Sequence, residues 1–541
     1  MSQLNALVNA ILDDFYASRP TEARWLGLHR YDGLVPNHSR AGIGARVARL
    51  DEQTTALAAI SSDELNDDER FDLDLLLAQL RFEQFQLTEL RDRARNPIAW
   101  SDDIDLSGYL MRSYAPIDER AAALKTQAAR IPTVLANATD VLDHDLSRPV
   151  IETSIDVFKG AAAFLRDDVP LALAEAGATV SVDAEIADAL AAIDQFVTML
   201  EHRLETASDS FAIGPDLLRK LVYYGELVDI DLDQLLRIGE ADLERNLEAA
   251  RVTAAQIDPT LTVEQIFRRQ GRDHPSADRL VAEVSNVLED LRQFLIDHAI
   301  VSVPSESRCL VEETPSFLRW AFAMMDTAGP YEDESVESFY LVTPPEADWD
   351  EERREEWLSN FDRSGLPGIS IHEAYPGHFI HFLHLRDVAS PVRRMALSYS
   401  FIEGWAHYVE EMMLEEGFGG GDPRYRLAQL KEALLRNCRL VASIKMHAYG
   451  MSLDEATDLL KSKAFLEEAP ARAEAVRGTF DPGYLNYTLG KLMMRKLRAD
   501  VQSLEGERFS LRTFHDRVLA LGAPPFALAR RVLTPGNESV L

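Results

Sequence analysis

The sequence predicts a mainly α-helical protein of 541 residues that contains one small antiparallel β-sheet. Apolar residues recur at helical spacing through most of the chain. Helix starts and ends carry recognisable capping residues. The region from residue 301 to about 345 differs, because it has short β-prone runs between turn residues. These observations favour a large helical body with a sheet inserted in its second half.

The N-terminal half, residues 1–300, is predicted to be helical throughout. Its first twenty residues have no basic leader and carry two aspartates inside an apolar pattern, which is typical of an amphipathic helix rather than a signal peptide. The segment 276–300 places six apolar residues on one helical stripe: Leu280, Val284, Val287, Leu288, Leu291 and Leu295. No run of 18 apolar residues occurs, so we expect no membrane span and a cytoplasmic protein.

The C-terminal half, residues 301–541, is predicted to begin with the sheet and to continue as helices that carry the unusual residues. The β-prone runs include VSVPSESRCLVEE and SVESFYLVTPP. The helix starts and ends beyond them are marked at Ser390–Pro391, Asp422–Pro423, Ser452–Glu455, Gly417 and Gly450. The sequence indicates a weakly marked boundary near residue 300 between the two halves. The two halves are also compatible with one continuous body.

The charge balance and the cysteine content exclude several classes of protein. With 56 basic and 90 acidic residues, the net charge is −34, which disfavours nucleic acid and anionic membranes as partners. Simple solubility or adaptation to salt explains this charge as well as a role in steering charged partners does. Two cysteines, Cys309 and Cys438, are too few for a disulfide framework and are expected in the core.

The segment ISIHEAYPGHFIHFLH, residues 369–384, begins like a zinc-hydrolase motif but has its second histidine two positions late. Residues six apart on an α-helix differ by about 240°, so an unbroken helix would point His372 and His378 to different sides. Pro376 removes a backbone N–H, and Gly377 accepts backbone angles that other residues avoid. We therefore predict a bulge or tight turn at 375–377 that lets both histidines bind one metal ion.

A second segment, FIEGWAHYVEE at 401–411, supplies the third candidate ligand. Glu403, His407 and Glu410 lie along one face of the predicted helix. Its apolar neighbours indicate that the helix is largely buried, and a buried charge needs a partner. We predict that Glu403 is a zinc ligand. His407 and Glu410 would form hydrogen bonds with the ligands on the side away from the metal and so orient them. A solvated helix face is the alternative.

Glu373 follows the first histidine directly, so it would face a water molecule on the metal. We predict that it acts as the general base and passes the proton to the leaving amine. A surface glutamate at a helix start is the alternative. His381 and His384 are surrounded by apolar residues and are interpreted as ordinary packed histidines.

Other catalytic classes lack their motifs. A di-iron bundle would need Glu-x-x-His pairs, and none of the 13 histidines has an acidic residue three positions before it. Neither a G-x-S-x-G elbow nor a G-x-x-x-x-G-K-[ST] phosphate loop occurs in the sequence.

At SIHEAYPGHFIHFLH and FIEGWAHYVEE the sequence resembles the bacterial family of domain-of-unknown-function 885 (DUF885) proteins. TEARWLGLHRYDG at 21–33, the segment 433–456 and DPGYLNYTLGKLMMRKLR at 481–498 extend the resemblance over most of the chain. The family looks like a branch of the gluzincin metallopeptidases. The resemblance implies a helical fold with a deep channel over one zinc ion, bound by His372, His378 and Glu403. In gluzincins an edge strand beside the zinc holds extended peptide, which suits the predicted sheet.

The resemblance also implies roles for five residues further along the chain: Arg436, Arg439, His447, Tyr484 and Tyr487. The two arginines share a helix face and would bind a substrate carboxylate, and ion pairs with the chain's own carboxylates are the alternative. His447 would belong to the catalytic residues. Tyr484 would contact substrate, and Tyr487 is favoured as the donor to a developing oxyanion, with ordinary core tyrosines as the alternative.

The expected function is a zinc-dependent peptidase that hydrolyses small peptides with one zinc ion per chain and no covalent intermediate. The alternative is a helical peptide- or ligand-binding protein that has a metallopeptidase fold but no catalysis. No oligomeric state is predicted.

Overall fold

The computed structural model describes residues 3–61, 63, 65–315, 319, 322–346, 348–537 and 539–541. The first two residues of the predicted N-terminal helix lie outside the described residues. Residues 316–318 and 320–321 of the predicted β region lie outside them as well. The described chain is mostly α-helical with one small sheet, so the predicted fold class is confirmed.

The chain divides into two compact units. The first comprises Met1–Phe211 together with Ala328–Glu337. Its helices are α1 Gln3–Ser18, α2 Pro20–Trp25, α3 Arg40–Ala58, α4 Asp67–Phe85, α5 Asp92–Arg95, α6 Gly108–Met111, α7 Ile117–Ala128, α8 Ile131–Val141, α9 Arg148–Ala163, α10 Val169–Glu175 and α11 Asp183–Leu204.

The second unit comprises Ala212–Thr327 and Ser338–Leu541. Before the candidate site it contains α12 Pro215–Glu226, α13 Leu232–Ile257, α14 Val263–Gln270, α15 Leu280–Asp297 and α16 Glu351–Leu358. It continues with α17 Leu366–Glu373, α18 His378–Asp387, α19 Pro391–Met395, α20 Tyr399–Glu415, α21 Pro423–Ala448, α22 Leu453–Ala464, α23 Glu468–Phe480, α24 Asn486–Glu505, α25 Leu511–Leu519 and α26 Phe526–Leu533. The boundary expected near residue 300 therefore falls inside this unit.

The sheet has three strands, β1 Leu310–Glu313, β2 Ala323–Asp326 and β3 Phe339–Val342, in the order β1-β3-β2. β2 pairs antiparallel with β3, but β1 pairs parallel with β3, so the sheet is mixed and the predicted antiparallel sheet is wrong in this respect. Parallel pairing needs a long connection, and the chain provides one between β1 and β3. All four residues of β3 are buried, and β2 is left as an edge strand.

The predicted helix boundaries agree with the structure where capping residues marked them. Ser390 and Asp422 cap α19 and α21 through their side chains, and Ser452 forms a capping box with Glu455 at the start of α22. On α15, the apolar stripe is buried as expected, apart from partly exposed Val287. Within the described residues, no helix is long and apolar enough to cross a membrane.

Candidate metal centre

The first two candidate ligands lie on either side of a break between α17 and α18. α17 ends at Glu373, α18 begins at His378, and the residues between them are not helical. The Tyr375–Pro376 peptide bond in this break is cis. The expected interruption is therefore present, and the imidazole rings of His372 and His378 lie 4.9 Å apart between centroids.

Gly377 allows this break because its backbone lies directly against the end of α17. A Cβ atom at this position would lie 1.7 Å from the carbonyl oxygen of His372. The Gly377 N–H donates to the carbonyl of Ile371 at 2.9 Å, and Trp405 on α20 donates its indole N–H to the carbonyl of Pro376 at 2.9 Å. Two hydrogen bonds thus hold the last two residues of the break, one to α17 and one to α20.

The third candidate ligand, Glu403, stands on α20, whose position is set by unusually close packing. A Cβ atom on Gly404 would lie 2.4 Å from the carbonyl carbon of Gly490 on α24. At the start of α20, Ser398 caps the helix and the backbone N–H of Ser400 donates to buried Glu226 at 3.2 Å. Both contacts restrict the depth and rotation of the helix that carries Glu403.

Ligand atoms of His372, His378 and Glu403 all lie within 4.8 Å of one another, the single such group within the described part of the chain. Glu403 Oε2 lies 3.4 Å from His372 Nε2 and 3.7 Å from His378 Nε2. This oxygen and His378 Nδ1 are buried and make no hydrogen bond to a described residue. Two imidazoles and one carboxylate suit zinc at a site that keeps a position open. The residues therefore fit the metal that the motif implies.

Glu410 connects the first ligand to the residues behind it. His372 donates through Nδ1 to Glu410 Oε1 at 2.8 Å, which leaves Nε2 facing Glu403. Glu410 Oε2 lies 3.2 Å from Nδ1 of fully buried His407, and Arg436 Nη2 lies 3.2 Å from Glu410 Oε1. A carboxylate behind a histidine fixes its tautomer and orientation, which is the role expected for Glu410.

The electrostatics of the group reflect its burial. Burial raises the pKa of Glu403, but neighbouring His378 and His372 outweigh it and lower that pKa to about 2. Burial lowers the pKa of His378 to about 4. A carboxylate that stays ionised beside an uncharged imidazole is the state in which both groups bind a cation.

Glu373 lies next to the metal group and contacts the edge of the sheet. Its Oε2 accepts a hydrogen bond from the backbone N–H of Met325, the third residue of β2, at 2.9 Å. Burial, with the charge of Glu403, raises the pKa of Glu373 to about 7. Glu373 and the candidate ligands therefore lie beside β2, which is at an edge of the sheet formed by the described strands.

Similarity to known proteins extends over almost the whole chain. The description "Bacterial protein of unknown function (DUF885)" belongs to a family profile that matches residues 20–533. The chain belongs to the DUF885 family. No curated protein matches it significantly.

Two solved structures share the fold of this DUF885 protein. One is "a putative lipoprotein of unknown function from Shewanella oneidensis", with 24% identity and a TM-score of 0.82 over 98% of this chain and 100% of the other. The second is "the putative lipoprotein from Colwellia psychrerythraea", with 16% identity and a TM-score of 0.80 over 98% of each chain. Both similarities support the helical fold.

The two arginines of α21 pair with carboxylates of the DUF885 chain itself. Arg436 contacts Glu410 and also Glu432, the latter at 3.0 Å. Arg439 binds Glu474 in a bidentate pair, with both distances at 2.8 Å. This is the alternative that the sequence left open, and their role in binding a substrate carboxylate stays a prediction.

His447 and Tyr484 lie in buried surroundings. His447 Nε2 donates to the carbonyl of Gly478 at 2.7 Å, and its Nδ1 lies 3.4 Å from the N–H of Ile213. Its ring therefore joins three segments of the fold, and its catalytic role stays a prediction. The hydroxyl of fully buried Tyr484 makes no hydrogen bond to a described residue, and its contact with substrate is likewise a prediction.

Tyr487 is partly exposed at the start of α24, where it packs against Tyr399 of α20 with 5.8 Å between ring centres. Glu403 is close enough to raise the pKa of Tyr487, after the larger effect of burial. Sequence reasoning missed Tyr399 and Arg477, whose side chains meet at 3.3 Å. Tyr399 stands four residues before Glu403, so helical spacing was the signal that could have found it.

His381 and His384 are packed as ordinary interior residues. His384 Nε2 lies 2.8 Å from the carbonyl oxygen of Ser302, and His381 Nε2 lies 3.3 Å from that of Gly522. Both agree with the interpretation made from their apolar neighbours.

Proposed function

We propose that this DUF885 protein is a zinc-dependent peptidase that hydrolyses small peptides. The observation that carries the proposal is the convergence of His372, His378 and Glu403, with Glu373 next to them and hydrogen-bonded to strand β2. A buried carboxylate needs a partner, and a cation held between Glu403 and the two imidazoles would be such a partner for the oxygen that makes no hydrogen bond to a described residue.

The three converging residues would hold the zinc ion, and Glu410 would keep the ring of His372 turned toward it. A bound zinc ion polarises a substrate carbonyl and makes a coordinated water more acidic. The ligand atoms already lie within 4.8 Å of one another, so little reorganisation would accompany metal binding.

Glu373 is the general base of the proposal. It takes a proton as the water oxygen bonds to the carbonyl carbon, and it returns the proton to the nitrogen as the C–N bond breaks. The products are a new carboxylate and a free amine. The Met325 N–H holds the Glu373 carboxylate in place for both transfers.

β2, which is at an edge of the sheet formed by the described strands, would hold the substrate in an extended conformation. Peptides pair with exposed strand edges through backbone hydrogen bonds, so this contact requires no particular side chain. Tyr487, partly exposed near Glu403, would donate its hydroxyl to the oxyanion that develops on the carbonyl.

The experiment is metal analysis combined with digestion of a peptide library that is read by mass spectrometry. We expect one zinc ion per chain and peptide cleavage that a chelator abolishes and zinc restores. Glu373→Gln should keep its zinc and lose at least about 100-fold in kcat, because the base is gone while the ligands remain. Glu415→Gln, at the far end of the same helix as Glu403, is the matched control and should retain both properties.

Two results would contradict the proposal. A wild-type protein without stoichiometric zinc after refolding or reconstitution would remove its basis. Full zinc with no cleavage of any library member would instead favour a peptide-binding protein with this fold.

A further inference from the structure

Three arginines surround the ring of Tyr487 beside the metal group. The guanidinium carbons of Arg436, Arg439 and Arg477 lie 5.8, 5.0 and 5.9 Å from its centre. Such contacts between cations and an aromatic face are favourable, but they do not distinguish the three side chains. Their hydrogen-bond partners and their exposure do.

Arg436 and Arg439 are buried and already form ion pairs. Each side chain is 10% exposed, and each pairs with carboxylates of neighbouring helices. A substrate carboxylate could reach them only by displacing Glu410, which orients His372, or Glu474, which holds Arg439 through two hydrogen bonds. Breaking a buried pair leaves an uncompensated charge, so neither arginine is suited to bind a transient ligand.

Arg477, near the end of α23, differs from these two arginines in its exposure and in its hydrogen-bond partners. Its side chain is 32% exposed. It contacts Asp481 Oδ2 through Nε at 3.1 Å and through Nη2 at 3.0 Å, and Nη2 also lies 3.3 Å from the hydroxyl of Tyr399. Arg477 also hydrogen-bonds to the hydroxyl of Tyr487, and Nη1 is the nitrogen that the contacts with Asp481 and Tyr399 do not use. Asp481 balances the charge, so recognition here would rest on directed N–H donation rather than on net charge.

Arg477 lies on the side of the site that carries Glu403. It contacts the hydroxyl of Tyr399, which precedes Glu403 by one turn on α20. A substrate carboxylate bound by Arg477 would therefore lie near the metal group, and the scissile bond would be close to the C-terminal end of the peptide.

We propose that Arg477 binds the free C-terminal carboxylate of the substrate. The protein then cleaves peptides close to their C-terminal end. This inference rests on the proposed peptidase function and names its substrate class.

The first test compares one peptide in two forms, with a free C-terminal carboxylate and with a C-terminal amide. Wild-type kcat/KM should fall by roughly 100-fold on amidation, because the N–H donation from Arg477 to the carboxylate is lost. Arg477→Gln should lose a similar factor on the free acid and little on the amide. Arg477→Lys should recover part of the loss, and Arg472→Gln, an exposed arginine on the same helix, should behave like the wild type.

Equal cleavage of acid and amide, or internal cuts only, would overturn the inference while leaving the peptidase function intact. A dependence on a free N-terminus instead of the C-terminus would overturn it as well.

The second test measures binding of the carboxylate in a variant that does not hydrolyse the peptide. Calorimetry on zinc-loaded Glu373→Gln protein compares glycyl-phenylalanine with its amide. We expect the acid to bind at least about tenfold more tightly, and this preference to vanish in Glu373→Gln/Arg477→Gln protein but not in Glu373→Gln/Arg472→Gln protein. Equal affinity, or no binding of either form, contradicts the proposal even if no peptide is ever cleaved.

Discussion

At the scale of single residues, the metal group could be predicted because residue type and spacing carry its chemistry. His372, His378 and Glu403 were identified from two short segments, and Pro376 with Gly377 indicated where the helix must break. The arginines were harder to interpret. Whether Arg439 faces a ligand or Glu474 depends on residues far along the chain, which spacing within one helix does not reveal.

Gly377→Ala tests the steric basis of the break. The test concerns the space around its Cα, because the backbone of Gly377 lies directly against the end of α17. The added Cβ would lie 1.7 Å from the carbonyl oxygen of His372, and the end of α17 would have to move. We expect zinc affinity to fall by about 100-fold, since displaced ligands and their supports lose affinity on this scale.

The matched control is Gly368→Ala on α17, where an added Cβ would have no neighbour within 4 Å. Its zinc affinity should equal that of the wild type in a competition titration. Normal affinity in Gly377→Ala would mean that the ligands do not depend on this contact.

At the scale of elements, helices with marked caps were predictable, and the sheet was only partly so. Ser390, Asp422 and Ser452 act locally, so their sequence neighbours suffice. Strand pairing depends on which segments meet after a long connection, and β-propensity says nothing about direction. This is why the strands were expected but the parallel pairing of β1 with β3 was not.

Gly404→Ala tests the contact between α20 and α24 that places Glu403. The new Cβ would meet backbone atoms of Gly490 at 2.4–2.9 Å, which no side-chain rotation relieves. We expect the free energy of unfolding to fall by about 2 kcal/mol or more, the cost of overpacking less the helix propensity gained by alanine. Urea unfolding followed by circular dichroism measures it.

Gly44→Ala is the control for this measurement, because Gly44 lies inside α3 with open space around its Cα. It should be neutral or stabilising by up to about 1 kcal/mol. If Gly404→Ala were equally neutral, the two helices could separate without cost, and their close packing would not position Glu403.

At the scale of the whole molecule, the acidic composition and the buried histidines predict opposite changes of stability when the pH falls. The net charge of −34 falls in magnitude on acidification, which relieves repulsion. Several histidines are buried and uncharged, however. Burial lowers the pKa of His381 and His515 to about 3 and that of His447 to about 4. The sequence alone revealed the charge but not these environments, because burial follows from tertiary packing.

We expect the histidines to dominate between pH 6.5 and 4.5. An unfolded histidine binds a proton near pH 6.5, whereas folded His515 does so only near pH 3. Its contribution to stability is complete above pH 6.5 and is lost as pH falls toward 3. In this range the slope approaches about 1.4 kcal/mol per pH unit for each such histidine. His29, whose pKa its carboxylate partners raise to about 9 against burial, is protonated in both states below pH 6.5 and adds no slope there.

His515→Gln should therefore flatten the pH dependence, even though it lowers stability at pH 8. His515 contacts the hydroxyl of Tyr408 at 2.9 Å and the carbonyl oxygen of Ile300 at 2.7 Å, and glutamine replaces these contacts imperfectly. In urea titrations from pH 8 to 5, the variant should lose less stability than the wild type. His144→Gln, at a site whose side chain is 95% exposed, should keep the wild-type slope. An unchanged slope in His515→Gln would mean that His515 takes up its proton without unfolding, because its buried contacts open locally at acid pH.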